Sequence, residues 1–353
     1  MQDVLVLVGA TASGKTELLE LLFGPGGPRA GAAELVSADS MQAYRGMDIG
    51  TAKPGPSLRA GLPHHLLDIR NPDEPFSAGD FVGLAASAIG EIIGRGRLPI
   101  VSGGTGFYVR NLLLGMPTVP VADPAIRADV AADLERLGPG ALRSELAAGD
   151  PVSAARIHPN DLYRLTRALE IVRATGRPLA SFLPERAAAK ASAPPAPGPA
   201  DRRWLLVHYR RPRGELAVRI AARVDAMFAA GLPAEVARLR AAGYGKESPG
   251  MKAIGYAEFF ELEASGGPGD ASPDAIRDRI VLDTLHYAKR QETFFRGLAR
   301  ALSERPAGTF RLVALEASSP SEDAGRLACL LDESFGPDAP GWSSPERGEA
   351  THA

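Results

Sequence analysis

The sequence predicts an α/β protein, a parallel sheet flanked by helices, with an all-helical domain inserted into it. Three observations carry this. The apolar run from Val4 to Val8 leads straight into Gly9-Ala10-Thr11-Ala12-Ser13-Gly14-Lys15-Thr16 and then into a Leu-rich helical pattern. That is the strand, phosphate-binding loop and helix of a G-x-x-x-x-G-K-[ST] motif. Further strand patterns at residues 35–37, 98–101, 204–209 and 310–315 are separated by helical stretches, as a parallel sheet requires. Between residues 117 and 204 the strands stop, and helical patterns with polar caps follow one another. The reading is a P-loop NTPase-like core over residues 1–117 and 201–317, a helical insertion over 118–200, and a disordered tail over 336–353.

Composition narrows the class. The 353 residues, 45% hydrophobic and 23% charged, suit roughly two globular domains. The single cysteine, Cys329, excludes an intrachain disulfide framework and a cysteine-based zinc site. A net charge of −2 leaves any nucleic acid to be held by local basic faces. No run approaches the roughly 20 apolar residues of a membrane span. The short N-terminal run reads as a strand, so a cytoplasmic chain with no membrane partner is expected, and a monomer.

In chain order, Gly9 and Gly14 let the backbone turn so that successive N–H groups converge on an anion at the start of the helix over 15–23. Lys15 supplies a mobile charge to a terminal phosphate, and the Thr16 hydroxyl suits a magnesium ion. Asp39 follows the strand at 35–37, where a carboxylate points into the ligand crevice of a parallel sheet; it reads equally as a catalytic base or a helix N-cap. Residues 44–54 alternate glycine with polar groups and read as a long ordered loop of functional type. His64-His65 lacks accompanying ligands and argues little for metal. A helix over 78–94 and a strand over 98–101 lead to Ser102-Gly103-Gly104-Thr105-Gly106. This is either a plain tight turn or a second set of backbone donors joined by the Thr105 hydroxyl.

In the insertion, 123–137, 140–148, 150–157 and 161–175 read as helices. Arg164 and Arg167 share one face, as a phosphate-backbone footprint or a solvated arginine face. Residues 187–200, rich in Ala and Pro, read as a mobile loop. Residues 215–242 are helical, with Arg219 and Arg223 on one face either gripping an anion or pairing with Glu215 and Asp225. Residues 251–256 are irregular, and a helix over 277–300 sets basic residues beside Phe294-Phe295, in RNA contact or in the core.

The ordered series of motifs resembles the tRNA dimethylallyltransferase family. It comprises the phosphate loop, Ser37-Ala38-Asp39-Ser40-Met41-Gln42, Tyr44 through Pro54, His64-His65-Leu66-Leu67-Asp68, Gly103-Gly104-Thr105-Gly106-Phe107-Tyr108, Ala155 through Asp161, Lys252-Ala253-Ile254-Gly255-Tyr256 and Ala288-Lys289-Arg290-Gln291. The likeness covers residues 4–300, and the 45–54 block is its most specific part. It implies transfer of a dimethylallyl group from dimethylallyl diphosphate to the exocyclic N6 amine of the adenosine 3′ of the anticodon, position 37, in tRNAs reading codons that begin with U. By the same resemblance the phosphate loop with Lys15, Thr16, Arg219 and Arg223 holds the diphosphate with magnesium. Asp39 is the base, and Thr105 and Arg127 contact the tRNA or shape the reaction channel. Asp39-Ser40-Met41-Gln42, Tyr163-Arg164-Leu165-Thr166-Arg167 and Lys252-Ala253-Ile254-Gly255-Tyr256-Ala257 face the tRNA anticodon stem-loop, whose target base must be flipped out. Tyr163, Lys252, Ala257 and Leu285-His286 depart from the family's usual residues. The phosphate loop attracts a nucleotide-binding or ATP-binding label, yet no ATP consumption is expected. The competing classes are an isopentenyltransferase acting on free adenine nucleotides, a small-molecule kinase and a non-enzymatic tRNA-binding protein.

Overall fold

The structure, a computed structural model, describes residues 2–116, 123–182, 202–266, 272–305 and 309–336. The loop expected over 187–200, and all but the first residue of the expected tail, lie outside them. The chain divides into two compact units, Met1–Leu114 with Pro197–Ala353, and Gly115–Ala196.

The first unit is built on one six-stranded parallel sheet. Its strands are β1 (Gln2–Val8), β2 (Ala33–Ser37), β3 (His64–His65), β4 (Leu98–Gly103), β5 (Arg202–Arg210) and β6 (Phe310–Glu316), in the spatial order β3-β2-β4-β1-β5-β6. β1 lies at the centre, with Leu5 in register with Ile100 on one side and Leu205 on the other. Its apolar run from Val4 to Val8 follows from this place, because a central parallel strand is covered on both faces. Val4, Val6 and Val8 enter one core with Phe81, Ile89, Ile92 and Phe295. Leu5 and Leu7 enter the other with Leu18, Leu22, Leu205 and Tyr209.

The first core lies under α3 (Ala78–Gly94), α4 (Gly106–Leu114) and the long α11 (Pro273–Ser303), the second under α1 (Lys15–Phe23), α2 (Pro56–Gly61) and α12 (Pro320–Phe335). α12 is an element the sequence reading does not contain. Ala324, Leu327 and Leu331 bury its apolar stripe against the second core, and Ser319 caps it by accepting from the Glu322 amide. The helical stretch read over 215–242 is two helices, α8 (Arg213–Ala229) and α9 (Leu232–Ala241), because Gly231 between them adopts φ 95°. A third core joins α8, α9 and α11 to the 44–52 loop through Tyr44, Met47, Val224, Val236, Tyr256 and Ile280.

The described residues of the second unit form α5 (Pro124–Gly149), α6 (Pro151–Arg156), α7 (Leu162–Thr175) and a single 3-10 turn at Leu179–Ser181. α5 is bent where Gly138 takes φ 76° ahead of Pro139, the break the sequence places between 137 and 140. Asp123, Asp150 and Asp161 cap the three helices, each accepting from a backbone amide of the first turn, worth about 1 kcal/mol apiece. Val130, Leu142, Leu146, Leu165 and Leu169 form its own core.

Candidate active site

The order β3-β2-β4-β1-β5-β6 reverses direction at β1 and β4, and the loops leaving their carboxyl ends therefore splay apart and open a crevice. Both glycine-rich turns sit there. A cavity of about 500 Å³ opens between them, lined by Lys15, Thr16, Asp39, Gln42, Arg219, Arg223, Tyr287 and Gln291 among others. That is the volume of a small-ligand site.

The phosphate loop is shaped by steric necessity. A Cβ on Gly9 would lie 2.3 Å from the Tyr209 carbonyl oxygen of β5, and Gly14 adopts φ 103° where α1 begins. Lys15 Nζ donates to the carbonyls of Gly9 and Ala10 at 2.9 and 2.8 Å. Arginines distant in sequence hold the outer carbonyls: Arg211 Nε donates to Ser13 O at 3.0 Å, and Arg219 Nε to Ala12 O at 2.9 Å. Arg219 also pairs with Glu17 at 3.1 Å, and Arg211 pairs with Glu215 at 2.9 Å. Surface pairing of Arg219 with Glu215 is thus replaced by a brace on the loop, while Asp225 pairs with Arg277. Arg223 makes no hydrogen bond or ion pair among the described residues, yet it lines the cavity. Burial lowers its pKa, and the Asp39 charge opposes this. Burial and the Arg223 charge bring Lys15 down to about 8, with Asp39 again opposing. The cavity therefore holds clustered positive charge with little bound to offset it.

Across the crevice, no helix follows Asp39, so its reading as a helix N-cap falls away. Its Oδ1 accepts from the Met41 amide at 2.9 Å, which fixes the carboxylate and leaves Oδ2 without a hydrogen bond among the described residues. The second glycine turn is more than a plain turn. A Cβ on Gly103 would meet the Ala38 carbonyl oxygen at 2.2 Å, so glycine alone lets the ends of β4 and β2 approach. Thr105 N then donates to Ala38 O at 3.0 Å, and Thr105 Oγ1 accepts from the Ser40 amide at 2.9 Å. Gln42 Oε1 accepts from Ser37 Oγ at 3.0 Å, and its Nε2 donates to Thr51 O at 3.3 Å.

The 44–54 loop is held by two buried charges. Lys53, its side chain almost wholly enclosed, donates to Tyr44 O, Asp48 and Asp68 at 2.7, 2.7 and 2.6 Å. Glu235 of α9 accepts from the Asp48, Ile49 and Gly50 amides. His64 lines the cavity with Nδ1 2.6 Å from Leu62 O, whereas His65 pairs with Glu34 at 2.6 Å. Among the described residues no cluster of three His, Cys, Asp or Glu side chains could hold a metal.

The stretches read as RNA contacts divide by burial. Around 252–257 the side chains of Ala253 and Tyr256 are buried in the core, leaving Lys252, Ile254 and Ala257 toward the surface. In the second unit Leu165 is buried; Tyr163 is 80% exposed and Arg164 is exposed, with Thr166 and Arg167 half-buried. Arg127 lies 3.7 Å from Glu170, which Arg167 also meets at 2.9 Å. Phe295 is in the core and Phe294 packs against it. Sequence reasoning gave no role to Arg211, Tyr287 and Gln291. The last two are four residues apart and so share a helix face, a spacing that could have flagged them. Burial and the Asp39 charge push the Tyr287 hydroxyl up to about 12.

A family model described as IPP transferase matches residues 42–298. The tRNA dimethylallyltransferase 2 of Geotalea uraniireducens is 44% identical over 294 residues, covering 83% of this chain and 88% of that protein. The tRNA dimethylallyltransferase of Chloroflexus aurantiacus is 42% identical, covering 84% and 94%. Among solved structures, a eukaryotic dimethylallyltransferase acting on tRNA is similar at TM-score 0.72 and 25% identity, covering 95% of this chain and 79% of that one. The full-length tRNA isopentenylpyrophosphate transferase of Bacillus halodurans is similar at TM-score 0.59 and 32% identity, covering 94% and 98%.

Proposed function

The chain belongs to the IPP transferase family, and from this we propose that it transfers a dimethylallyl group from dimethylallyl diphosphate to the N6 amine of the adenosine 3′ of a tRNA anticodon, in tRNAs reading codons that begin with U. The observation that carries the reading is the pairing of a cationic cluster, Lys15 and Arg223, with a carboxylate oxygen of Asp39 that accepts no hydrogen bond among the described residues, in one cavity. A diphosphate seats on the phosphate-loop amides, the start of α1 and Arg223, while Arg211 and Arg219 keep the loop in shape.

The amine nitrogen attacks C1 of the dimethylallyl group, the C1–oxygen bond breaks, and diphosphate leaves with the electron pair. Asp39 Oδ2 takes the amine proton. Lys15 and Arg223 stabilise the negative charge that grows on the leaving oxygen. Thr16, exposed in the cavity and its hydroxyl without a hydrogen bond among the described residues, would offer a hard oxygen to a magnesium ion. When bound, magnesium adds charge neutralisation on the diphosphate. Thr105, held by Ser40, shapes the acceptor side, and Arg127 with 163–167 and 252–257 supplies contacts to the anticodon stem-loop.

The test is incubation with radiolabelled dimethylallyl diphosphate and magnesium, offering unmodified tRNA and free AMP in parallel. Label in the adenosine 3′ of the anticodon supports the reading. Label in AMP alone assigns the chain to free nucleotides, and loss of a phosphoryl group from ATP to a small acceptor assigns it to kinases.

A further inference from the structure

Transfer needs the donor held at Lys15 and the proton acceptor at Asp39 to keep a fixed separation, although they follow different strands, β1 and β2. A continuous run of hydrogen bonds joins the two loops, and Gln291 of α11 is its central link. Gln291 Oε1 accepts from the Thr11 amide in the phosphate loop at 2.8 Å, and Nε2 donates to Gly104 O in the second glycine turn at 2.8 Å. From Gly104 the run passes to Thr105, whose Oγ1 accepts from the Ser40 amide beside Asp39 at 2.9 Å. Gln291 is 4% exposed and lines the cavity. A Cβ on Gly104 would lie 2.3 Å from its Nε2, so the approach depends on glycine. Among the described residues no other side chain bonds both glycine-rich loops. A primary amide offers both an acceptor and a donor, and here each end meets its complement.

We propose that Gln291 is a positioning residue of the transfer reaction, which sets the spacing between the phosphate loop and the Asp39 turn by bonding one backbone group in each glycine-rich loop. The proposal rests on the transferase reading. Its effect belongs in kcat, because misplacement of reacting atoms raises the barrier without removing any group that binds substrate.

The experiment compares full-length wild type, Gln291→Met and Gln291→Glu in steady-state transfer from dimethylallyl diphosphate to tRNA. Gln291→Met, similar in length but lacking both bonds, is expected to lower kcat roughly 10–100-fold, with KM for each substrate within about threefold. Gln291→Glu carries an internal rescue. Its carboxylate faces the Gly104 carbonyl with like polarity, whereas its acid form has one C=O for Thr11 and one O–H for Gly104. Between about pH 8 and about pH 6 the kcat ratio of this variant to wild type is expected to rise several-fold, while that of Gln291→Met stays flat. Lys15, Asp39, Tyr287 and Arg223, the charged and titratable groups of the same cavity, are present in all three proteins, so the ratio to wild type isolates the change at residue 291. A folded Gln291→Met with kcat within about twofold of wild type, a loss confined to donor KM, or a flat Gln291→Glu ratio overturns the proposal. If Gln291→Met does not fold, the Gln291→Glu ratio decides alone. Wild-type failure to label tRNA defeats the transferase reading, and the positioning role falls with it.

Discussion

The Tyr256 hydroxyl donates to the Glu235 carboxylate at 2.6 Å, and that same buried carboxylate accepts from the amides of Asp48, Ile49 and Gly50 at 3.1, 3.1 and 3.3 Å. One side chain thus satisfies a run of backbone donors that would otherwise be buried and unpaired. Tyr256 packs flat enough on this loop that a Cβ on Gly50 would meet its ring at 2.4 Å. The loop goes on to line the cavity through Ala52 and Pro54.

Glu235→Ala leaves three amides and a phenol unpaired and is expected to cost at least about 3 kcal/mol, against about 1 kcal/mol for Tyr256→Phe. Urea denaturation measures both. Hydrogen exchange at residues 48–50 should accelerate in Glu235→Ala and change little in Tyr256→Phe.

The two arginines one helical turn apart on α8 should behave differently. Arg223 lines the cavity with no hydrogen-bond or ion-pair partner among the described residues, so Arg223→Ala is expected to raise KM for dimethylallyl diphosphate roughly 10-fold or more. Arg219 is committed to Ala12 O and Glu17, so Arg219→Ala is expected to loosen the phosphate loop and lower kcat along with donor affinity. Titration of donor in steady-state assays separates the two patterns.

Lys15 gives the reaction a basic limb. Its pKa is lowered to about 8, chiefly by burial and then by the Arg223 charge. The protonated form is the one that binds diphosphate, so kcat/KM for the donor should fall as pH rises through about 8 in the free enzyme. Lys15→Arg, charged throughout this range, should abolish that limb while lowering activity, since a guanidinium does not reproduce the compact ammonium. The pH profile of kcat/KM in both proteins checks this.

The local parts of the fold were legible in the sequence. The phosphate loop, the central strands and the helical insertion are written in contiguous runs, where periodicity and glycine spacing act over a few residues. The supports were not. Glu235 reaches amides 185 or more residues away, Gln291 reaches Thr11 across 280, and Arg211 braces Ser13 across 198. No local pattern reveals such partners. α12 is also written locally, with Ala324, Leu327, Ala328, Leu331 and Phe335 at helical spacing behind the Ser319 cap, although the sequence reading does not contain it. Within the stretches that the sequence reads as RNA contacts, Ala253, Tyr256 and Leu165 serve the core, since a motif does not say which of its side chains turn inward.

The central claim is that one cavity holds both the diphosphate and the base that accepts the amine proton, and the most direct test is single-turnover transfer to tRNA in Asp39→Asn with donor saturating. An amide keeps the side-chain oxygen that accepts from Met41 and cannot take up the proton. The account predicts a rate roughly 100–10,000-fold below wild type with donor affinity nearly unchanged. A rate within about threefold of wild type, or a loss wholly recovered by more donor, would contradict it.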